Sequence, residues 1–145
     1  LDDGAALVNA CTGGLAAYVA VHVCFGNNAG RPFADRRLSR LLDAMQRLSC
    51  DQLALELANR EMAETEILGE LAGSFDLAAG VVDVKNFYVD PPERVAERIE
   101  ACLRHVPRGR LAVTGDCGFS ALPRYLARQK LDSMVHGARL ARGAR

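Results

Sequence analysis

Apolar residues recur along this chain in two patterns: short β-branched runs that end in polar clusters, and longer stretches in which they return every three or four positions. Residues 2–13 mix Ala, Leu, Val and Asn and predict a helix that Gly13-Gly14 ends with flexible backbone. A strand is predicted over 17–25, around Val19-Ala20-Val21-His22-Val23-Cys24-Phe25. It gives way to Gly26-Asn27-Asn28-Ala29-Gly30-Arg31-Pro32, a loop dense in residues that tolerate unusual dihedrals and a candidate substrate-binding segment. From 33 to 48, Phe33, Leu38, Leu41, Leu42, Met45 and Leu48 keep the period of an amphipathic helix. Gln52 to Ala58 is a second apolar run, interrupted by Glu56. A helix over 61–73 ends near Gly73, and Leu77 to Val84 is a third strand, trailed by Lys85-Asn86. Asp90-Pro91-Pro92-Glu93 predicts a helix start, with Asp90 as N-cap and Glu93 in the capping-box position, and the helix runs to about Val106, before Pro107. Arg110 to Thr114 is a fourth strand that ends in Gly115-Asp116-Cys117-Gly118-Phe119. The last helix, from about Leu122 to Ala141, has a basic C-terminal end with Arg139, Arg142 and Arg145 that suits the helix dipole.

The order is one helix followed by four strand–helix units, with strands starting near 19, 53, 79 and 111. Spacings of this size belong to right-handed βαβ crossovers, so the expected class is α/β with a parallel sheet. In such folds functional groups gather at the carboxyl ends of the strands. Here those ends carry His22 and Cys24, then Glu56, then Asp83 and Lys85, then Asp116 and Cys117, all on one rim.

Composition narrows the picture. With 145 residues, half of them apolar, the chain is sized for a single domain, residues 1–145. Eighteen basic and eighteen acidic residues balance to zero, which gives no general electrostatic reason to bind nucleic acid or an anionic membrane. No apolar run approaches the ~20 residues of a membrane helix, and the start lacks the basic-then-apolar order of a secretory signal, so a cytoplasmic protein is expected. Five cysteines at irregular spacing are unlike a disulfide framework and point to reduced thiols and a metal. The first residue is Leu rather than Met, in keeping with a processed chain or a piece of a longer one.

The candidate chemistry starts at His22 and Cys24. Residues two apart on a strand share a face, so imidazole and thiol project side by side, half of a tetrahedral zinc site. Glu56, in an apolar strand, needs a partner, because a buried carboxylate must be paired, protonated or metal-bound. With Cys117 on the same rim the set is N, S, S and O. That suits Zn²⁺ and selects against Mg²⁺ and Ca²⁺. The plainer alternatives are a small core thiol at Cys117 and a Glu56–Lys85 ion pair. Cys11, Cys50 and Cys102, without a second ligand type nearby, are structural.

At these residues the sequence resembles the C-terminal part of cobalamin-independent methionine synthase and its shorter relatives, including epoxyalkane:coenzyme M transferase. The resemblance runs from about Tyr18 to Gly143 through His22-Val-Cys24-Phe-Gly-Asn, Leu55-Glu56, Gly80-Val-Val-Asp83, Val95-Ala-Glu-Arg-Ile99, Asp116-Cys117-Gly118 and Lys130-Leu-Asp-Ser-Met134-Val. It implies the C-terminal half of a (β/α)8 TIM barrel with a catalytic zinc, onto which His22, Cys24, Glu56 and Cys117 map as ligands. It also implies thiol alkylation. Zinc keeps the substrate sulfur a thiolate that attacks an alkyl carbon, with Glu56 as the exchangeable ligand. The thiol is homocysteine and the donor a methylated folate in methionine synthesis; the electrophile is an epoxide in the coenzyme M branch. Lys85 and Asp83 are the candidate catalytic residues. Lys85 stands where the long methionine synthases have a proton-donating His, and the short relatives commonly have Lys.

Only four of the eight strands of such a barrel are present, and the family's folate-binding residues lie upstream of them. The expected partner is therefore a missing barrel half or a second copy of the chain, because a half-barrel leaves two unpaired edges and an apolar interior face. A non-catalytic zinc-binding half-barrel is the alternative from another class. Uroporphyrinogen decarboxylase-like chemistry is a third reading, which leaves the His, Cys and Cys set unexplained.

Overall fold

The computed structural model describes residues 2–28, 31–33 and 35–143; Ala29 and Gly30 of the candidate substrate loop, Ala34 and Arg145 lie outside them. The elements are α1 (Asp2–Thr12), β1 (Ala20–Val23), α2 (Leu42–Gln46), β2 (Gln52–Leu55), α3 (Ile67–Leu71), β3 (Asp76–Val82), α4 (Pro92–Leu103), β4 (Leu111–Gly115) and α5 (Arg124–Ala141). The strands form one parallel sheet in the order β1-β2-β3-β4. This is half of a (β/α)8 barrel: the parallel sheet is what the strand spacing predicts, and the barrel half is what the resemblance implies. No helix among the described residues is long and apolar enough to cross a membrane.

The register divides the sheet into two unlike faces. Val21, Leu53, Leu77 and Leu111 stand in register, as do Val23, Leu55, Ala79 and Val113, and this aliphatic face belongs to the core that the helices cover. The other face carries His22, Ala54, Ala78 and Ala112, then Gly80 beside Thr114. Small side chains at Ala54, Ala78 and Ala112 leave room over the sheet beside the His22 imidazole, the one large group of that row. The central strands are the more buried, while β1 and β4 are only partly covered, as edge strands are. On the helical side α1 is held to the end of α2 by Asn9, whose amide donates to the Arg47 carbonyl (2.8 Å) and whose oxygen accepts the Ser49 N–H (2.7 Å). α4 and α5 pack closely at Gly137, where a Cβ would lie 2.6 Å from that of Val95.

Three predicted helices differ from the observed ones, each because a tertiary contact competes with local periodicity. The helix expected over 33–48 begins only at Leu38, as a 3-10 turn (Leu38–Leu41) that runs into α2. Its first N–H groups, from Leu38 (2.9 Å) and Ser39 (3.2 Å), donate to the carboxylate of Glu64, a residue from another loop. Phe33 instead extends the chain, its N–H donating to the Phe25 carbonyl at 2.7 Å. The helix expected over 61–73 is confined to α3, because Glu61, Met62 and Glu64 take left-handed backbone (φ 54°, 59° and 61°) that no helix continues through. Asp90 does not cap α4. Pro91 occupies the N-cap, and the Asp90 carboxylate pairs with Arg98 at 2.8 Å.

Glu64 thus starts one helix and interrupts another. Burial alone would raise its pKa; hydrogen bonds from Ser39, from the Leu38 and Ser39 N–H groups and from Arg60 outweigh that and hold it at about 2. A carboxyl depressed in the folded state contributes stability that is present above its unfolded pKa and is lost as pH falls through the folded one. Glu64→Gln is therefore expected to cost on the order of 1 kcal/mol at pH 7, since solvent screens this partly exposed carboxylate, and to flatten the loss of stability between pH 4.5 and 2. Urea unfolding of both proteins across that range measures it; parallel pH profiles would contradict the assignment.

Candidate metal centre at the strand ends

Cys24, Glu56, Asp83 and Asp116 each occupy the first position after a strand: β1, β2, β3 and β4 in turn. A parallel sheet places these positions side by side, which is why residues so far apart in sequence meet. His22 comes from the inner face of β1, and Cys117 follows Asp116. The donor atoms of His22, Cys24 and Cys117 all lie within 4.8 Å of one another. Burial, followed by the neighbouring Cys24 thiol, pushes the Cys117 thiol up to about 12. A metal binding there would have to displace the proton, so uptake strengthens as pH rises.

Glu56 is fully buried beside these groups. Its Oε2 accepts the Phe25 N–H (3.1 Å) and pairs with Lys85 Nζ (2.7 Å), whose side chain is equally inaccessible. Its Oε1 has no hydrogen-bond partner. Of the two readings of Glu56 made from the sequence, the ion pair with Lys85 is present through one oxygen, while the other oxygen is buried and unpartnered. Among the described residues the three-donor cluster comprises His22, Cys24 and Cys117, with Glu56 turned toward the Lys85 ammonium. Lys85 supplies the cation that offsets this buried charge. Two sulfurs and an imidazole are donors that suit a thiophilic divalent metal, and the unpartnered Glu56 oxygen lies outside that three-donor cluster.

Asp83 holds the loop that follows β3. Its Oδ1 accepts the Lys85 N–H (2.7 Å), and its Oδ2 accepts from the Asn59 (3.3 Å) and Asn86 side-chain amides. With every oxygen occupied, the carboxylate orients Lys85. Lys130, barely exposed, reaches the same loop from α5 and donates to the carbonyls of Asp83 (2.8 Å) and Tyr88 and to Asn86 Oδ1 (3.4 Å). Burial lowers its pKa, opposed by Asp83 and Asp90.

Asp116 was visible from the sequence only as a polar strand end. Its carboxylate accepts three consecutive backbone N–H groups, from Leu57 and Ala58 at 2.9 Å and Asn59 at 2.6 Å. Burial raises its pKa to about 7, against the pull of those three donors. The signals that could have found this network are a glycine inside a strand, Gly80, which marks a close approach, and the buried stripe Leu126, Lys130, Ser133 and Gly137 on α5, polar where a helix face turns inward.

A half-barrel with an imidazole, two thiols and buried carboxylates at the carboxyl rim of its sheet defines the class. The chain belongs to the cobalamin-independent synthase family, whose catalytic domain it matches over residues 3–140. It is similar to a methionine synthase of Thermococcus kodakarensis, with 33% identity over 135 residues, 93% of this chain and 37% of that protein. A methionine synthase of Saccharolobus solfataricus is 31% identical over 139 residues, 96% of this chain and 39% of the relative. A 2-hydroxypropyl-CoM lyase of Xanthobacter autotrophicus is 35% identical over 101 residues, 70% of this chain and 26% of the relative. The solved structure of a B12-independent methionine synthase from Shewanella, in complex with selenomethionine, superimposes with a TM-score of 0.84 at 24% identity, over 97% of this chain and 43% of that one, a likeness of fold. The chain spans less than half the length of these relatives.

Proposed function

We propose that residues 1–145 are a partial-barrel module of a zinc-dependent methyltransferase that methylates a thiol of the homocysteine type, with a methylated folate or a comparable alkyl donor. The observation that carries this is the convergence of His22, Cys24 and Cys117 within 4.8 Å beside the unpartnered Oε1 of Glu56. His22, Cys24 and Cys117 would hold the zinc permanently, and Glu56, the hard oxygen donor among softer ones, would be the ligand that a substrate sulfur displaces. When bound, zinc supplies the Lewis acidity that keeps a substrate thiol ionised at neutral pH. Lys85, already paired with Glu56 Oε2 and oriented by Asp83, would keep that carboxylate neutralised whether or not its other oxygen held a metal, and would place an ammonium proton beside the site. The unpaired edges of β1 and β4 are where a second barrel half, or a second copy of the chain, would complete the enclosure.

The 35% identity to 2-hydroxypropyl-CoM lyase supports a second reading on the same site, alkylation of another thiol such as coenzyme M. The zinc content of the protein and X-ray absorption with and without each thiol test both. About one zinc per chain is expected, with a first shell that gains one sulfur on thiol addition and a Glu56→Ala variant that keeps most of its metal. Zinc-free protein would remove the proposal. A shell unchanged at saturating homocysteine and coenzyme M, together with large zinc loss in Glu56→Ala, would establish instead a closed, structural site.

A further inference from the structure

The backbone ladder leaves one relationship in this site undetermined. Glu56 follows β2 and Cys117 follows β4, and the sheet order places β3 between those strands, so no strand pairing sets one relative to the other. Asp116 closes that gap. Its N–H donates to the Val82 carbonyl of β3 at 3.0 Å, while its carboxylate reaches past β3 to the N–H groups of Leu57, Ala58 and Asn59, the three residues that follow Glu56. The path runs over Gly80. A Cβ there would lie 2.8 Å from the Leu55 carbonyl oxygen and 3.0 Å from Asp116 Cα, and would overlap Asp116 Oδ1. The carboxyl group is fully buried, and in its ionised, acceptor-only form it can receive all three donors, which an amide cannot without turning its own N–H2 toward one of them.

We propose that Asp116, with Gly80 giving it clearance, is a positioning residue that sets the distance between Glu56 and Cys117. The inference rests on the metal reading above. It predicts that Asp116 acts on the metal through the peptide units on either side of it, touching neither metal nor substrate. The effect of removing it belongs with that of other groups that orient ligands, a 10- to 100-fold loss of metal affinity, by order of magnitude.

The test is metal binding by the wild-type protein, Asp116→Asn, Gly80→Ala, Asp116→Ala and the Gly80→Ala/Asp116→Ala double variant. It is read by chelator competition for zinc and by the absorption spectrum of the Co²⁺-substituted proteins. Expected are weaker zinc binding by about 10- to 100-fold in Asp116→Asn and Gly80→Ala, shifted Co²⁺ bands at temperatures where the variants remain folded, and a double variant less impaired than the sum of its parts. Wild-type affinity and an unshifted Co²⁺ spectrum in Asp116→Asn, even with a lowered melting temperature, would reduce Asp116 to a structural residue and overturn the proposal. Additive single effects would remove Gly80 from it. If the variants do not fold, amide hydrogen exchange of the wild type decides: zinc should slow exchange at Leu57, Ala58 and Asn59, and unchanged rates there overturn the inference. A wild-type protein that binds neither zinc nor cobalt would sink the metal reading itself, an outcome distinct from all of these.

Discussion

Cys117→Ser is expected to lower zinc affinity by more than about 100-fold, beyond the range that groups merely orienting a ligand command. A serine hydroxyl stays protonated at neutral pH and is a hard donor, so the substitution removes one of two thiolates without offering a replacement. Cys24→Ser is expected to act in the same way, since its sulfur lies in the same cluster. The measurement is chelator competition at fixed pH. It should be repeated at rising pH, because a thiol held at about 12 in the metal-free protein must lose its proton on binding, and affinity should climb with pH in the wild type. Zinc affinity within tenfold of wild type in Cys117→Ser would mean that Cys117 is a small core thiol and that the ligand set has been misread.

The second large effect is expected at Lys85. Lys85→Met removes the cation facing a carboxylate that is itself fully buried, and leaves Glu56 with the Phe25 N–H alone. Breaking a buried pair from one side costs about 3–5 kcal/mol, because the remaining charge is left uncompensated. In this site a second cation can take over the compensation. The loss should therefore be close to that range in metal-free protein and much smaller at saturating zinc, read as urea unfolding of wild type and variant with and without the metal. An equal loss in both conditions would separate Glu56 from the metal. A loss below about 1 kcal/mol in metal-free protein would mean that Glu56 accommodates the change by protonation.

Much of this architecture was legible from residue order. The alternation of β-branched runs with helical periods placed four strands close to their observed positions and implied their parallel pairing. The polar residues at each run's end marked the rim where His22, Cys24 and Cys117 meet. These inferences held because they rest on local geometry: a period of two or of three to four, and the rule that crossovers bring successive strand ends to one side. Helix boundaries were less legible. The start at Leu38 is set by the Glu64 carboxylate, and the interruption before Ile67 by the left-handed backbone of Glu61, Met62 and Glu64. Neither is encoded in the periodicity of the segment it alters.

The candidate site divides along the same line. Sequence by itself determined which side chains stand at the rim, because strand alternation and strand ends are properties of a single segment. Only the tertiary structure decided how they are engaged. The Glu56 carboxylate divides between Lys85 and an unpartnered oxygen, Asp83 is spent on orienting its own loop, and Asp116 reaches past β3 above Gly80. Those assignments depend on distances between segments that share no hydrogen-bond ladder and on which charges find a counterion once water is excluded. Both are set by packing of the whole sheet rather than by the neighbours of any one residue.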